Sequence, residues 1–93
     1  MRRVVFLRDF LLGYLAANGG EARVEDIEAA VRRVREKRNV IIAGGGRGVR
    51  EEIEVLAAAG LLEERGGVVR LRGERLGGLL LRRLERLAAI AGW

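Results

Sequence analysis

The sequence predicts a mainly α protein with a small β-hairpin, an α+β fold in which one domain, residues 1–73, is followed by a C-terminal helix, residues 74–93. Three observations predict it. Apolar residues recur at helical spacing in four separate stretches. The third of these stops at Gly60 and leads into two short runs, Leu61–Arg65 and Val68–Arg72, with Gly66-Gly67 between them. The chain has only 93 residues, enough for one domain with a modest core.

The first helix is expected over residues 3–17, with Val4, Leu7, Leu11 and Leu15 on one stripe and Asn18-Gly19-Gly20 ending it. Val5, Phe6, Phe10 and Leu12 make its remaining surface apolar too. A helix that is hydrophobic nearly all round is buried on more than one side. Its second cover is expected from another subunit or from the C-terminal helix.

The second helix is expected over residues 24–38. Glu25 and Asp26 lie in its first turn, where negative charge complements the helix dipole. Ile27, Val31 and Val34 define its buried face. Arg32, Arg33, Arg35, Lys37 and Arg38 make its end basic, which suits either a solvated helix terminus or phosphate contact. Val40 to Ala43 then either prolongs this helix or forms a small strand before the glycine run Gly44 to Gly48.

The third helix carries Val49, Ile53 and Leu56 on one stripe. A left-handed Gly60 would close it and let Leu61 fold back onto Leu56. Gly66-Gly67 suits a two-residue turn with positive φ at both positions. Alternation along the second strand turns Val69 and Leu71 inward and Arg70 and Arg72 outward. In the last helix, residues 74–91, Leu80, Leu84, Leu87 and Ala91 follow the spacing of a short coiled-coil seam. Arg82, Arg83 and Arg86 lie outside that seam.

Composition narrows the function. The net charge is +5, and of the 18 basic residues only Lys37 is a lysine. Arginine makes bidentate contacts with phosphates and base edges, which suits a nucleic-acid partner. GC-rich coding also favours this composition, and the scarcity of Asn, Gln and Cys fits a thermophile. Ser, Thr, Cys and His are all absent. The usual hydroxyl and thiol nucleophiles, the common general base and the best metal ligands are therefore missing, and no enzymatic activity or cofactor is expected. No signal peptide or membrane-spanning run is apparent, so a cytoplasmic location is expected.

The string Leu56-Ala57-Ala58-Ala59-Gly60-Leu61-Leu62-Glu63, a helix passing through a glycine into a basic hairpin, resembles the second half of a winged helix-turn-helix domain. With a further helix after the hairpin, the chain resembles small archaeal winged-helix DNA-binding proteins, whose last helix dimerises. The resemblance implies a double-stranded DNA partner, a role as transcriptional regulator or chromatin-type protein, and a homodimer. It implies that the third helix enters the major groove with Arg47 and Arg50 nearest the bases. Arg65, Arg70 and Arg72 of the hairpin would lie along the backbone or minor groove, and Arg32, Arg33 and Arg38 would add phosphate contacts. The dimer would be held by Leu80, Leu84 and Leu87 together with Phe6 and Phe10. Glu51, Glu52 and Glu54 on the third helix oppose this reading, because carboxylates repel phosphates. A winged-helix protein-interaction module is the alternative.

A third reading comes from Val40 to Gly48. A strand, a glycine loop and a helix in succession resemble the first βαβ unit of Rossmann-type nucleotide-binding proteins. Glu64 lies about 20 residues on, where that fingerprint places a ribose-binding acid. Val49 stands where the third glycine belongs, however, and too little chain remains for a doubly wound sheet.

Overall fold

The computed structural model describes residues 3–37, 39–72 and Arg82. Among these residues are three helices and five strands, in the order β1 (Arg3–Phe6), α1 (Leu7–Ala17), β2 (Glu21–Arg23), α2 (Val24–Arg35), β3 (Val40–Ala43), α3 (Val49–Ala58), β4 (Leu62–Arg65) and β5 (Val68–Leu71). The strands form two small sheets. One is the parallel pair β1–β3, and the other is three-stranded in the order β2-β5-β4, antiparallel throughout.

The helix expected over residues 3–17 begins only at Leu7, and residues 3–6 are a strand. Val4 and Val5 fit a helical stripe, but their branched side chains lose rotamer freedom in a helix and pack well on a pleated surface. A second β-branched run, Val40-Ile41-Ile42, supplies the partner: Val4 lies opposite Ile41 and Val5 opposite Ile42. Of the two readings left open for Val40 to Ala43, the strand is the one observed. The second helix stops at Arg35, three residues before its expected end, and Arg38 lies outside the described residues.

Three glycine turns shape the rest. After α1, Gly19 has φ +77° and the Gly20 N–H donates to the Leu15 carbonyl at 2.7 Å. After α3, Gly60 has φ +78°, its N–H donates to Ala57 and the Leu61 N–H donates to Leu56, each at 3.0 Å. Both arrangements close a helix by returning backbone donors to its orphan carbonyls. In the hairpin, Gly66 and Gly67 have φ +60° and +81°, the paired positive values that match the twist of the flanking strands.

The core is one cluster drawn from every helix and both sheets. It includes Leu7, Phe10, Leu11, Leu12 and Leu15 of α1, Ile27 and Val31 of α2, Ile53 and Leu56 of α3, and Leu62 and Val69 of the hairpin. Helix α1 touches β1, β2, β3, β5 and α3, so it runs through the centre of the molecule. Its apolar circumference is thus buried within a single chain. Phe10, assigned above to a dimer interface, is 0% exposed and stacks on Tyr14 with ring centroids 6.4 Å apart. Position on α1 explains the correction: Phe10 shares its face with Leu7 and Leu11, and that face points inward. Among the described residues no helix is long and apolar enough to cross a membrane.

Candidate nucleic-acid interface

The hairpin is fixed to the helical layer at its tip. The Val24 N–H, at the start of α2, donates to the Gly67 carbonyl at 2.9 Å, and β2 immediately before it pairs with β5. The Glu64 carboxylate accepts the Gly67 N–H at 3.0 Å and steadies the turn. Val69 is buried while Arg70 faces solvent, as alternation requires.

The eight arginines assigned to DNA do not form one group. On the hairpin, Arg65 is exposed and has no carboxylate partner among the described residues, whereas Arg70 is held by Glu21 at 3.0 Å across the β2–β5 ladder. The hydrogen bond that Arg70 donates to Glu21, reinforced by the charges of Glu21 and Glu63, raises the Arg70 pKa above its ordinary value. Arg72 is half-buried, and its N–H donates to the Leu61 carbonyl at 2.9 Å. On α2, Arg32 and Arg33 are exposed and carry no ion pair among the described residues. They occupy the last turn of a helix of 12 residues. That places them about 12–14 Å along the axis from Val24, where the hairpin tip is attached.

At the start of α3 both candidate base-reading arginines are engaged. The Arg47 guanidinium contacts the Glu52 carboxylate at 3.2 Å, and Arg50 contacts Glu28 of α2 at 3.3 Å. Glu52 is the one buried charged residue among those described, at 5% exposure. It lies in the N-terminal turn of α3 beside Arg47. The solvent face of α3 carries Arg50, Glu51, Glu54, Val55 and Ala58, so its free charges are acidic. Between α3 and the hairpin lies a shallow cleft of about 300 Å³, lined by Val24, Ile53 and Ala57 with Arg50, Glu54 and Glu64 around them.

A second cleft opens where β1 and β3 both end, lined by Phe6, Leu7, Arg8, Ala43, Gly44, Gly45, Arg47 and Glu52. This is the strand–glycine–helix arrangement of the nucleotide reading, now with a parallel neighbour strand. Gly44 is required there, because a Cβ would sit 2.9 Å from the Arg47 carbonyl oxygen and 3.3 Å from Leu7 Cδ2. Yet the carboxylate of Glu52 already stands by the first turn of α3, where a phosphate would have to bind, and would repel it. Neither the burial of Glu52 nor its pairing with Arg47 was legible in the sequence, where it reads as one more acid on the third helix.

Among the described residues no group of His, Cys, Asp or Glu is arranged to hold a metal. No family model matches the chain, and no curated protein or solved structure is similar enough to be matched with it.

Proposed function

We propose that this chain is a winged helix-turn-helix module that binds double-stranded DNA without catalysis, as a transcriptional regulator or chromatin-type protein. The observation that carries this reading is the topology. After β1 come a first helix, a short strand, two further helices separated by β3, and a hairpin, and the short strand joins the hairpin as β2-β5-β4. The β2-β5-β4 sheet beside three helices supports a winged-helix reading with α3 as the recognition helix and β4–β5 as the wing, and the parallel pair β1–β3 is an addition to it.

The charges make phosphate attraction the main source of affinity. Arg65 on the wing and Arg32 and Arg33 on α2 are exposed cations without carboxylate partners among the described residues. Arg47, Arg50 and Arg70 must leave a carboxylate before they meet DNA, and Glu51 and Glu54 oppose deep entry of α3 into a groove. Binding with little sequence preference follows from that balance. The reading requires one copy only; a homodimer through the leucine seam would double the phosphate contacts.

A mobility shift on random duplex DNA across a salt series tests this. Log K should fall linearly with log salt, by about 0.9 per phosphate contacted. Arg65→Ala should flatten the slope by about one unit, because its charge is not already committed. Absence of binding at low salt, or an affinity indifferent to salt, would refute the DNA reading. One observation favours a second reading, a protein-interaction module: α3 exposes Val55 beside Glu51 and Glu54, a surface suited to a basic, partly apolar partner.

A further inference from the structure

The cleft beyond the carboxyl ends of β1 and β3 has a volume of about 370 Å³, within the range of small-molecule pockets. That end of parallel strands is where α/β sheets commonly hold their ligands. Phe6 ends β1, lines the cleft and is 57% exposed. Gly44 and Gly45 bring bare backbone to it, with nothing within 4 Å of a Cβ built on Gly45. The side chains of Arg8 and Arg47 are more than half exposed, and that of Glu52 is only 6% exposed.

Glu52 is the member that calls for an occupant. A carboxylate offers about four acceptor positions. Among the described residues this one takes a single side-chain hydrogen bond, from Arg47 Nη1 to Oε2 at 3.2 Å, and Oε1 takes none. Buried polar groups are ordinarily satisfied, so a ligand that brings N–H donors into the cleft would complete it. Two arginines against one carboxylate disfavour a simple cation as that ligand. An exposed aromatic ring favours a planar one, which can stack on it.

We propose that this cleft binds a guanine nucleotide, a role separate from the duplex binding inferred above. Of the common bases only guanine sets two N–H donors side by side on one edge, the pattern that a carboxylate accepts. Adenine and cytosine each place an acceptor beside their amino group, which a carboxylate repels. The guanine edge meets Glu52, which Arg47 holds in position, and the ring lies against Phe6. Glu52 keeps the phosphate away from the first turn of α3 and leaves Arg8 to receive it. Arg8 is only loosely engaged, with Asp9 at 3.9 Å.

Titration of the full-length protein with guanosine monophosphate (GMP), followed by amide chemical shifts, tests this. GMP should bind with a dissociation constant below about 1 mM and shift the amides of Leu7, Gly45 and Arg47. Adenosine monophosphate should bind at least about tenfold more weakly, as a site built for donors rejects a base that lacks them. Phe6→Ala, at an exposed position, should weaken GMP by about tenfold through lost stacking. Arg8→Ala should weaken GMP and leave guanosine unchanged, whereas Arg65→Ala on the hairpin should alter neither. Glu52→Gln should remove the preference for GMP over adenosine monophosphate. Should that variant fail to fold, the Phe6 and Arg8 variants decide. Absence of GMP binding, equal affinity for the two nucleotides, or indifference to Phe6→Ala would overturn the proposal. A single strand of thymidines carrying one guanosine separates the two sources of this ligand. Displacement of GMP by the strand assigns the site to unpaired nucleic acid, and failure to displace assigns it to the free nucleotide. None of these readouts depends on whether the chain binds duplex DNA.

Discussion

Glycines 44 and 45 are neighbours in the sequence, yet they are required for different reasons. Gly44 has an ordinary negative-φ backbone but no room: a methyl group would press on the Arg47 carbonyl and on the Leu7 side chain. Gly45 has φ +59° and nothing within 4 Å of a built Cβ. Gly44→Ala must move backbone and should cost about 1–3 kcal/mol, as overpacking does. Gly45→Ala strains only its own dihedral and should cost about 1–2 kcal/mol. The distinguishing readout is the double variant Gly44→Ala with Leu7→Val. Trimming Leu7 relieves one of the two close contacts at Gly44, so urea denaturation should show less than additive loss there, whereas Gly45→Ala with Leu7→Val should be additive. The candidate arginines were legible at this scale but their partners were not. Arg50 meets Glu28 and Arg70 meets Glu21 across long stretches of sequence, and only the assembled helices and sheet bring those pairs together.

At the scale of elements, what was readable was local. Gly60 closing α3, the Gly66-Gly67 turn and the inward Val69 each depend on a few adjacent residues, and each appears as expected. Strand β1 was misread because Val4, Leu7 and Leu11 satisfy a helical period, and only a distant partner, β3, decides otherwise. Strand β2, Glu21-Ala22-Arg23, has no pattern long enough to detect and exists because β5 lies beside it. The same locality misled the assignment of Phe10 to an interface. Buried at the centre of α1, Phe10→Ala should cost about 3–5 kcal/mol. That is a large part of the roughly 5–15 kcal/mol available to a domain. Chemical denaturation of the variant should therefore show a clearly lowered midpoint, and a loss below about 1 kcal/mol would contradict its place in the core.

For the whole molecule, the parallel pair β1–β3 has a kinetic consequence. The hairpin closes over two turn residues, whereas β1 meets β3 only after α1, β2 and α2 have been brought round between Phe6 and Val40. Closing that longer chain costs about 2.5 kcal/mol more in loop entropy than closing the hairpin, if both behave as flexible loops. Once made, β1 must leave its Val-Val-Phe run unpaired through synthesis of the next 37 residues, Leu7 to Ala43. In refolding, pulse-labelled amides of Val5 should gain protection after those of Val69, and at equilibrium they should exchange faster. An N-terminal fusion would act on this step more than on any other. The Arg3 N–H donates to the Asn39 carbonyl at 2.9 Å, so a bulky group placed just ahead of Arg3 would delay the late closure of the parallel sheet and leave the antiparallel one untouched.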